Sequence, residues 1–271
     1  NNGQIIKVPF GTSLKELYEV SGLDMKHGPM CALVNNKVQG MNYRFYNAKD
    51  VEFKDITSSH GMRTYTLTLF LLLAKAVEDL YPGVQLIIGA PMSRGYFCEL
   101  RIGREVTEQD AMAIQKRMQE IVAMDEKIHR VQCPIEEAID LFRSKGMESK
   151  ARLLESQSNL YTYYYRLCDT VNYFYSCLLT RTSQLHLFRV EKFFEGLLLR
   201  VPSRKNPEEL EKMVPQEKMH NVIQEFHRWQ EILGVRNAGE FNEAVKDGHA
   251  SQLINVSEAL QEKKLNEIVD N

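Results

Sequence analysis

The sequence has no C-x-x-C pair, no long unbroken apolar run and no excess of charge of either sign. Each absence excludes something. The five cysteines (Cys31, Cys98, Cys133, Cys168, Cys177) are odd in number and widely spaced. They fit reduced thiols in a cytoplasm rather than a disulfide framework or a zinc ribbon. The most apolar stretch, residues 67–77, is interrupted by Lys75. It is too short to cross a bilayer core of roughly 30 Å and reads as a buried helix. The 34 basic and 36 acidic residues are intermingled and leave a net charge of −2, so no global field points to nucleic acid or membrane. The opening NNGQIIKV lacks the basic region and apolar core of a signal peptide. A cytoplasmic chain with no membrane partner is expected.

What is present suits a globular protein. The 271 residues, 44% hydrophobic and 26% charged, have room for about two domains, each with its own core. In residues 4–10, Ile6, Val8 and Phe10 recur at period two, the signature of a strand. Ser13 and Glu16 form an S-x-x-E capping box for a short helix that Gly22 stops. Asn35-Asn36 separates two short strand patterns, and residues 50–56 alternate again. Strand, helix and further strands within about 55 residues suggest a β-grasp. Asn1-Asn2-Gly3 reads as a hairpin turn with its first strand missing.

From Thr57 a second unit begins. A long apolar helix over residues 63–80 ends at Tyr81-Pro82-Gly83. Residues 84–90 and 95–103 read as strands joined by a proline-containing turn, and Thr107 caps a second long helix whose first turn carries Gln109 and Asp110. A short strand at 129–133 leads into a helix starting at Pro134. Residues 160–201 are strand-like, residues 207–233 form an amphipathic linking helix, and Asn237 caps the first of two more helices.

The run GYFCELRIGREVTEQDAMAIQKRM (95–118), with AKAVEDLYPG (74–83) and HRVQCPIEEAIDLFRSKGMESKARLLE (129–155), resembles the second N-terminal domain of threonyl-tRNA synthetases. The first 57 residues are similar to a TGS domain. YNAKDVEFKDITSSHGMRTY, NLYTYYYRLCDTV, GLLLRVPSRKNP and INVSEALQEKK further resemble the N-terminal half of uridine-kinase-like proteins, which carry both modules before a P-loop kinase domain.

The resemblance implies an α+β fold in three parts. These are a ubiquitin-like β-grasp (1–57), a threonyl-tRNA-synthetase editing-domain-like α+β domain (58–205) and a helical linker (206–271) toward an absent kinase domain. No G-x-x-x-x-G-K-[ST] occurs in the chain, so nothing in it offers the glycine cradle and lysine that phosphoryl transfer needs. ATP and magnesium are expected only in that absent domain.

The synthetase domain's H-x-x-x-H motif falls on Leu67 and Leu71, and its C-x-x-x-H motif on Cys177 and Arg181. Leucine offers neither a lone pair nor a proton, and protonated arginine cannot ligate metal. Hence no catalytic residue, metal or cofactor is expected. Tyr96, Phe97 and Glu99 occupy the family's aromatic pair and acid, and Lys150 matches a family lysine. With Arg181 they form a candidate set for a small-molecule or nucleotide ligand, while a surface ion pair is the commoner arrangement of such charges.

The tyrosines at 161, 163, 164, 165, 173 and 175 offer stacking faces for bases, or simply pack a sheet. His220 and His227, and His129 and Cys133, lack further metal partners in sequence. Ser203–Pro207 is a basic loop that suits an anion or plain solvent, and His60–Arg63 a polar turn that suits an anion or a domain hinge. The expected function is a non-catalytic accessory region of an ATP-dependent nucleoside kinase, with its own C-terminal kinase domain as partner. The alternative is an aminoacyl-tRNA editing hydrolase or a tRNA/RNA-binding module.

Overall fold

The computed structural model describes residues 3–270. The chain is α+β and divides into two compact units, Asn1–Arg130 with Tyr165–Pro215, and Val131–Tyr164 with Gln216–Asn271.

The first unit opens with a small α/β module. Helix α1 (Leu14–Ser21) carries the capping box expected of it: Ser13 Oγ accepts from Glu16 N at 3.2 Å while the Glu16 carboxylate accepts from Ser13 N at 2.6 Å. Strands β1 (Cys31–Val34), β2 (Lys37–Gln39) and β3 (Val51–Lys54) form an antiparallel sheet in the order β2-β1-β3. The β1–β2 turn holds Asn35 and Asn36 at φ 47° and 62°, the left-handed conformation a tight hairpin demands. Leu14, Leu17, Ala32, Val34, Met41 and Phe45 make the core. The strand expected over residues 4–10 is absent: residues 3–9 join no ladder, although Ile6 and Val8 still pack against this core. The period-two pattern is met there by side-chain packing. Of the expected Asn1-Asn2-Gly3 hairpin turn, Asn1 and Asn2 lie outside the described residues.

Helix α2 (Ser59–Leu80) follows, capped by Ser58, whose Oγ accepts from Gly61 N at 3.0 Å. Strands β4 (Gln85–Met92) and β5 (Gly95–Arg101) come next, and helix α3 (Glu108–Ala123) takes its capping box from Thr107 and Asp110. The β4–β5 turn is Ser93-Arg94, both with positive φ. Pro91 lies inside β4, where the register shifts past Ile88; proline's missing N–H is tolerated at such a bulge. Later come β6 (Ile128–Pro134), β7 (Tyr161–Leu167), β8 (Thr170–Asn172), β9 (Arg189–Phe193) and β10 (Gly196–Arg200). A four-stranded antiparallel sheet runs β4-β5-β10-β9, with α2 against β4 and α3 against β9. Tyr65, Leu69, Leu72, Ile114, Met118 and Ile121 are almost fully buried in this layer. Gly196 starts β10 where a Cβ would meet Cys98 O at 2.4 Å and the Phe97 ring at 2.9 Å, so any side chain would force the strands apart.

In the second unit, α4 (Ile135–Ser144) packs on α5 (Glu148–Glu155) around Ala138, Phe142, Ala151 and Leu154, all fully buried. Helices α6 (Glu217–Leu233), α7 (Ala238–Lys246) and α8 (Ala250–Val269) complete it. Asn242 Nδ2 donates to Ser156 Oγ at 2.9 Å, tying α7 to α5, and Lys264 pairs with Glu225 at 2.8 Å, tying α8 to α6. The linking helix starts at Glu217, not at residue 207. The preceding residues instead make a bridge, Pro202 to Leu210, and Pro215 offers no N–H to extend a helix backwards.

Candidate functional site

Leu67 and Leu71, two of the positions that the synthetase resemblance gives to a metal-binding motif, lie on α2. Residues 64, 68, 71 and 75 are spaced by a turn each and share one helical face. Thr64 Oγ1 lies 3.4 Å from Cys177 Sγ, and Thr68 Oγ1 donates to Thr64 O at 2.6 Å while accepting from Leu179 N at 3.0 Å. Leu71 sits between these threonines and Lys75 and is fully buried; Leu67 is off to one side and half-buried. Cys177 is thus packed against α2, hydrogen-bonded with Cys31 of β1. That bond first, and burial second, push the Cys31 thiol far above its ordinary range.

Lys75 is the row's one charge, and 6% of it is exposed. It binds Asp79 at 2.6 Å and also Asp169. Burial opposes its charge, yet the hydrogen bonds to Asp169 and Asp79 raise its pKa. Asp79 in turn receives Arg117 at 2.8 Å. Sequence reasoning missed this network. The available signal was Lys75 itself, since a charge inside an apolar run must find partners when buried.

Arg181, at the position of the family's last ligand, pairs with Asp125 at 2.6 Å, and Ser183 donates to the same carboxylate. Arg181 first and Ser183 second hold the Asp125 carboxyl down to about 2. The guanidinium is therefore engaged in joining the turn after α3 to the 181–184 segment. Nearby, Thr182 is fully buried, donating to Ile121 O at 3.0 Å and accepting from Glu126 N at 2.8 Å.

The three candidates on β5 do not share one face. Strand alternation sends Tyr96 to one face of β5 and Phe97 and Glu99 to the other. Tyr96 packs edge-on against Phe70 with ring centroids 4.9 Å apart, and burial raises its phenol's pKa against the pull of the Thr66 hydroxyl. Phe97 is buried over Gly196. Glu99 accepts from Arg101 at 2.6 Å, a pair that the sequence analysis did not name. Lys150 stands on α5 in the second unit, where burial pushes its ammonium down to about 8.

Other concavities lie elsewhere. A cavity of ≈ 470 Å³ in the second unit is lined by Arg152, Arg236, Glu240, Glu243 and His249, among others. Its arginines already pair, Arg152 with Glu243 at 3.6 Å and Arg236 with Glu240 at 3.1 Å. Among the described residues no three His, Cys, Asp or Glu side chains gather as a metal-ligand set. Nor is any described helix long and apolar enough to cross a membrane.

No protein-family model matches the chain. Curated relatives do. The likeness is to threonyl-tRNA synthetases. "Threonine–tRNA ligase 2" of Bacillus subtilis is 26% identical over 154 residues, covering 57% of this chain and 24% of that protein. The enzyme of Nitrosomonas europaea is 28% identical over 160 residues, 56% of this chain and 25% of its own. That of Paraburkholderia phytofirmans is 41% identical over 85 residues, 31% of this chain and 13% of its own. The chain therefore spans about a quarter or less of the length of these relatives, and its homology is partial, to their N-terminal region. These matches lend no support to the uridine-kinase-like resemblance.

Proposed function

We propose that this chain is a tRNA-binding module related to the N-terminal region of threonyl-tRNA synthetases, acting by binding rather than hydrolysis. The observation that carries the reading is the combination of that relatedness with the inner face of α2. There Leu71 is buried between Thr68 and Lys75, and Arg181 is taken up by Asp125. Leucine cannot activate water at that position, and an arginine held in an ion pair does not act as a base. Exposed groups suited to a nucleic acid lie on the surface: the ring of Tyr175, 64% exposed, and Arg204 and Lys205 of the basic loop.

The test is filter binding of a threonine-accepting tRNA at low and physiological salt, beside a deacylation assay with mischarged tRNA. Binding that weakens steeply with salt, without turnover, is the expected result. Turnover would make the chain an editing hydrolase, and absence of binding at every salt concentration would end the module reading.

A second reading rests on the ordered segments quoted above. The chain would be the non-catalytic, cytoplasmic N-terminal region of a uridine-kinase-like nucleoside kinase, with ATP and magnesium held by a following P-loop domain. Tyr96, Phe97, Glu99, Lys150 and Arg181 were its ligand candidates. Of these, Tyr96 lies on one face of β5 and Phe97 and Glu99 on the other. Calorimetry against nucleosides and nucleotides tests that ligand. The residues encoded after Asn271 test the parent: a G-x-x-x-x-G-K-[ST] loop there would favour this reading.

A further inference from the structure

Two cysteines far apart in sequence meet inside the first unit. Cys31 opens β1 of the small module and is fully buried; Cys177 lies beyond β8 and is 8% exposed. The two are hydrogen-bonded to each other, and Cys177 Sγ also lies 3.4 Å from Thr64 Oγ1 on α2. Gly40, just past the end of β2, leaves room for this approach: a Cβ there would stand 3.2 Å from the Cys177 Cβ. The binding function proposed above makes no use of the pair.

The two sulfurs are not equivalent. Cys31 donates and Cys177 accepts. That hydrogen bond is the foremost cause that lowers the Cys177 thiol; burial opposes it and the Thr64 hydroxyl adds to it. The same bond raises Cys31. Burial pushes Cys98, Cys133 and Cys168 upward instead. Peroxide is attacked by a thiolate rather than a thiol, and a sulfenic acid beside a second thiol condenses with it to a disulfide. Cys177 has the character of the attacking sulfur, and Cys31 stands where the resolving one must be.

We propose that Cys31 and Cys177 form a reversible redox pair whose disulfide ties the small module to the α2 layer. The oxidant is a peroxide. The Cys177 thiolate attacks one peroxide oxygen, so that an S–O bond forms, the O–O bond breaks and hydroxide leaves. The Cys31 sulfur then attacks the Cys177 sulfur. The S–S bond forms, the S–O bond breaks, and the departing hydroxide carries off the Cys31 proton as water. Two electrons pass from the two sulfurs to one peroxide. A dithiol reductant reverses the change by exchange. The link closes a long loop of chain, the case in which a cross-link restrains the unfolded state most.

The experiment is intact-mass and peptide-mass analysis of the 271-residue chain treated with hydrogen peroxide, with and without dithiothreitol afterwards. Cys168→Ser removes the exposed thiol as a competitor. The expected product has lost two hydrogens and yields a peptide pair joined through Cys31 and Cys177, which dithiothreitol separates. Amides of residues 31–34 are expected to exchange at least about tenfold more slowly in the oxidised form. In Cys31→Ala the reaction is expected to stop at a Cys177 sulfenic acid that dimedone traps; if that variant does not fold, the joined peptide of the parent chain decides alone. Oxidation that gives no Cys31–Cys177 peptide would overturn the inference. So would a disulfide that leaves exchange in β1 unchanged.

Discussion

Arg181 and Asp125, 56 residues apart in sequence, meet at 2.6 Å and close the turn after α3 onto the segment that follows Cys177. Where the synthetase resemblance calls for a ligating histidine, this chain has a structural clamp. Replacing Arg181 by histidine is therefore expected to lower the melting temperature without creating hydrolysis. Arg181→His and Asp125→Asn should destabilise by similar amounts, and the double variant by less than their sum, because each single change removes the same contact. Thermal melts of the four proteins check this. Additive losses would mean that the pair is not coupled.

Asp110 caps α3, binds Arg104 through both carboxylate oxygens at 2.7 Å and receives the Tyr81 hydroxyl at 2.7 Å. Arg104 foremost among these holds its carboxyl far below the ordinary range. A depressed folded pKa gives stability that is complete above the unfolded value near 3.8 and is lost as pH falls through the folded value. Asp110→Asn is expected to cost about 2 kcal/mol at pH 7. Its urea melts should converge on those of the parent as the pH is taken below 3.

Lys150 shows the opposite sign. Its ammonium is pushed from 10.5 to about 8 by burial, so folding disfavours its charged form. Stability should therefore rise between pH 8 and 10.5 as the proton leaves, and Lys150→Met should flatten that rise. Denaturation followed across this window decides it: an unchanged slope in the variant would show that another group titrates.

Gly61 stands in the first turn of α2, where a Cβ would come within 1.8 Å of Asp55 O. The obstacle is backbone and cannot rotate away. Gly61→Ala should cost about 3 kcal/mol through displacement of the helix start, whereas Gly83→Ala, whose Cβ would meet nothing within 4 Å, should cost only the strain of its positive φ. Paired chemical melts distinguish the two.

Residue identity alone says that Leu67, Leu71 and a protonated Arg181 are not metal ligands, whatever the fold. The separation of Tyr96 from Phe97 was legible too, since strand alternation alone dictates it, but the resemblance drew attention to type rather than direction. Of the Lys75 network, the need for a partner and Asp79 one turn on were legible, and Asp169 was not. Lys75 and Asp169 are 94 residues apart, and nothing local to either names the other.

By itself the sequence determined the elements whose signals close within a few residues. The capping boxes of Ser13 with Glu16 and Thr107 with Asp110, the Asn35-Asn36 turn and the Gly22 stop each satisfy backbone groups locally. Tertiary structure alone decided which strand patterns find partners. Residues 5–8 alternate as β3 does, but a ladder is made only by hydrogen bonds to another chain segment, and no short-range rule supplies one.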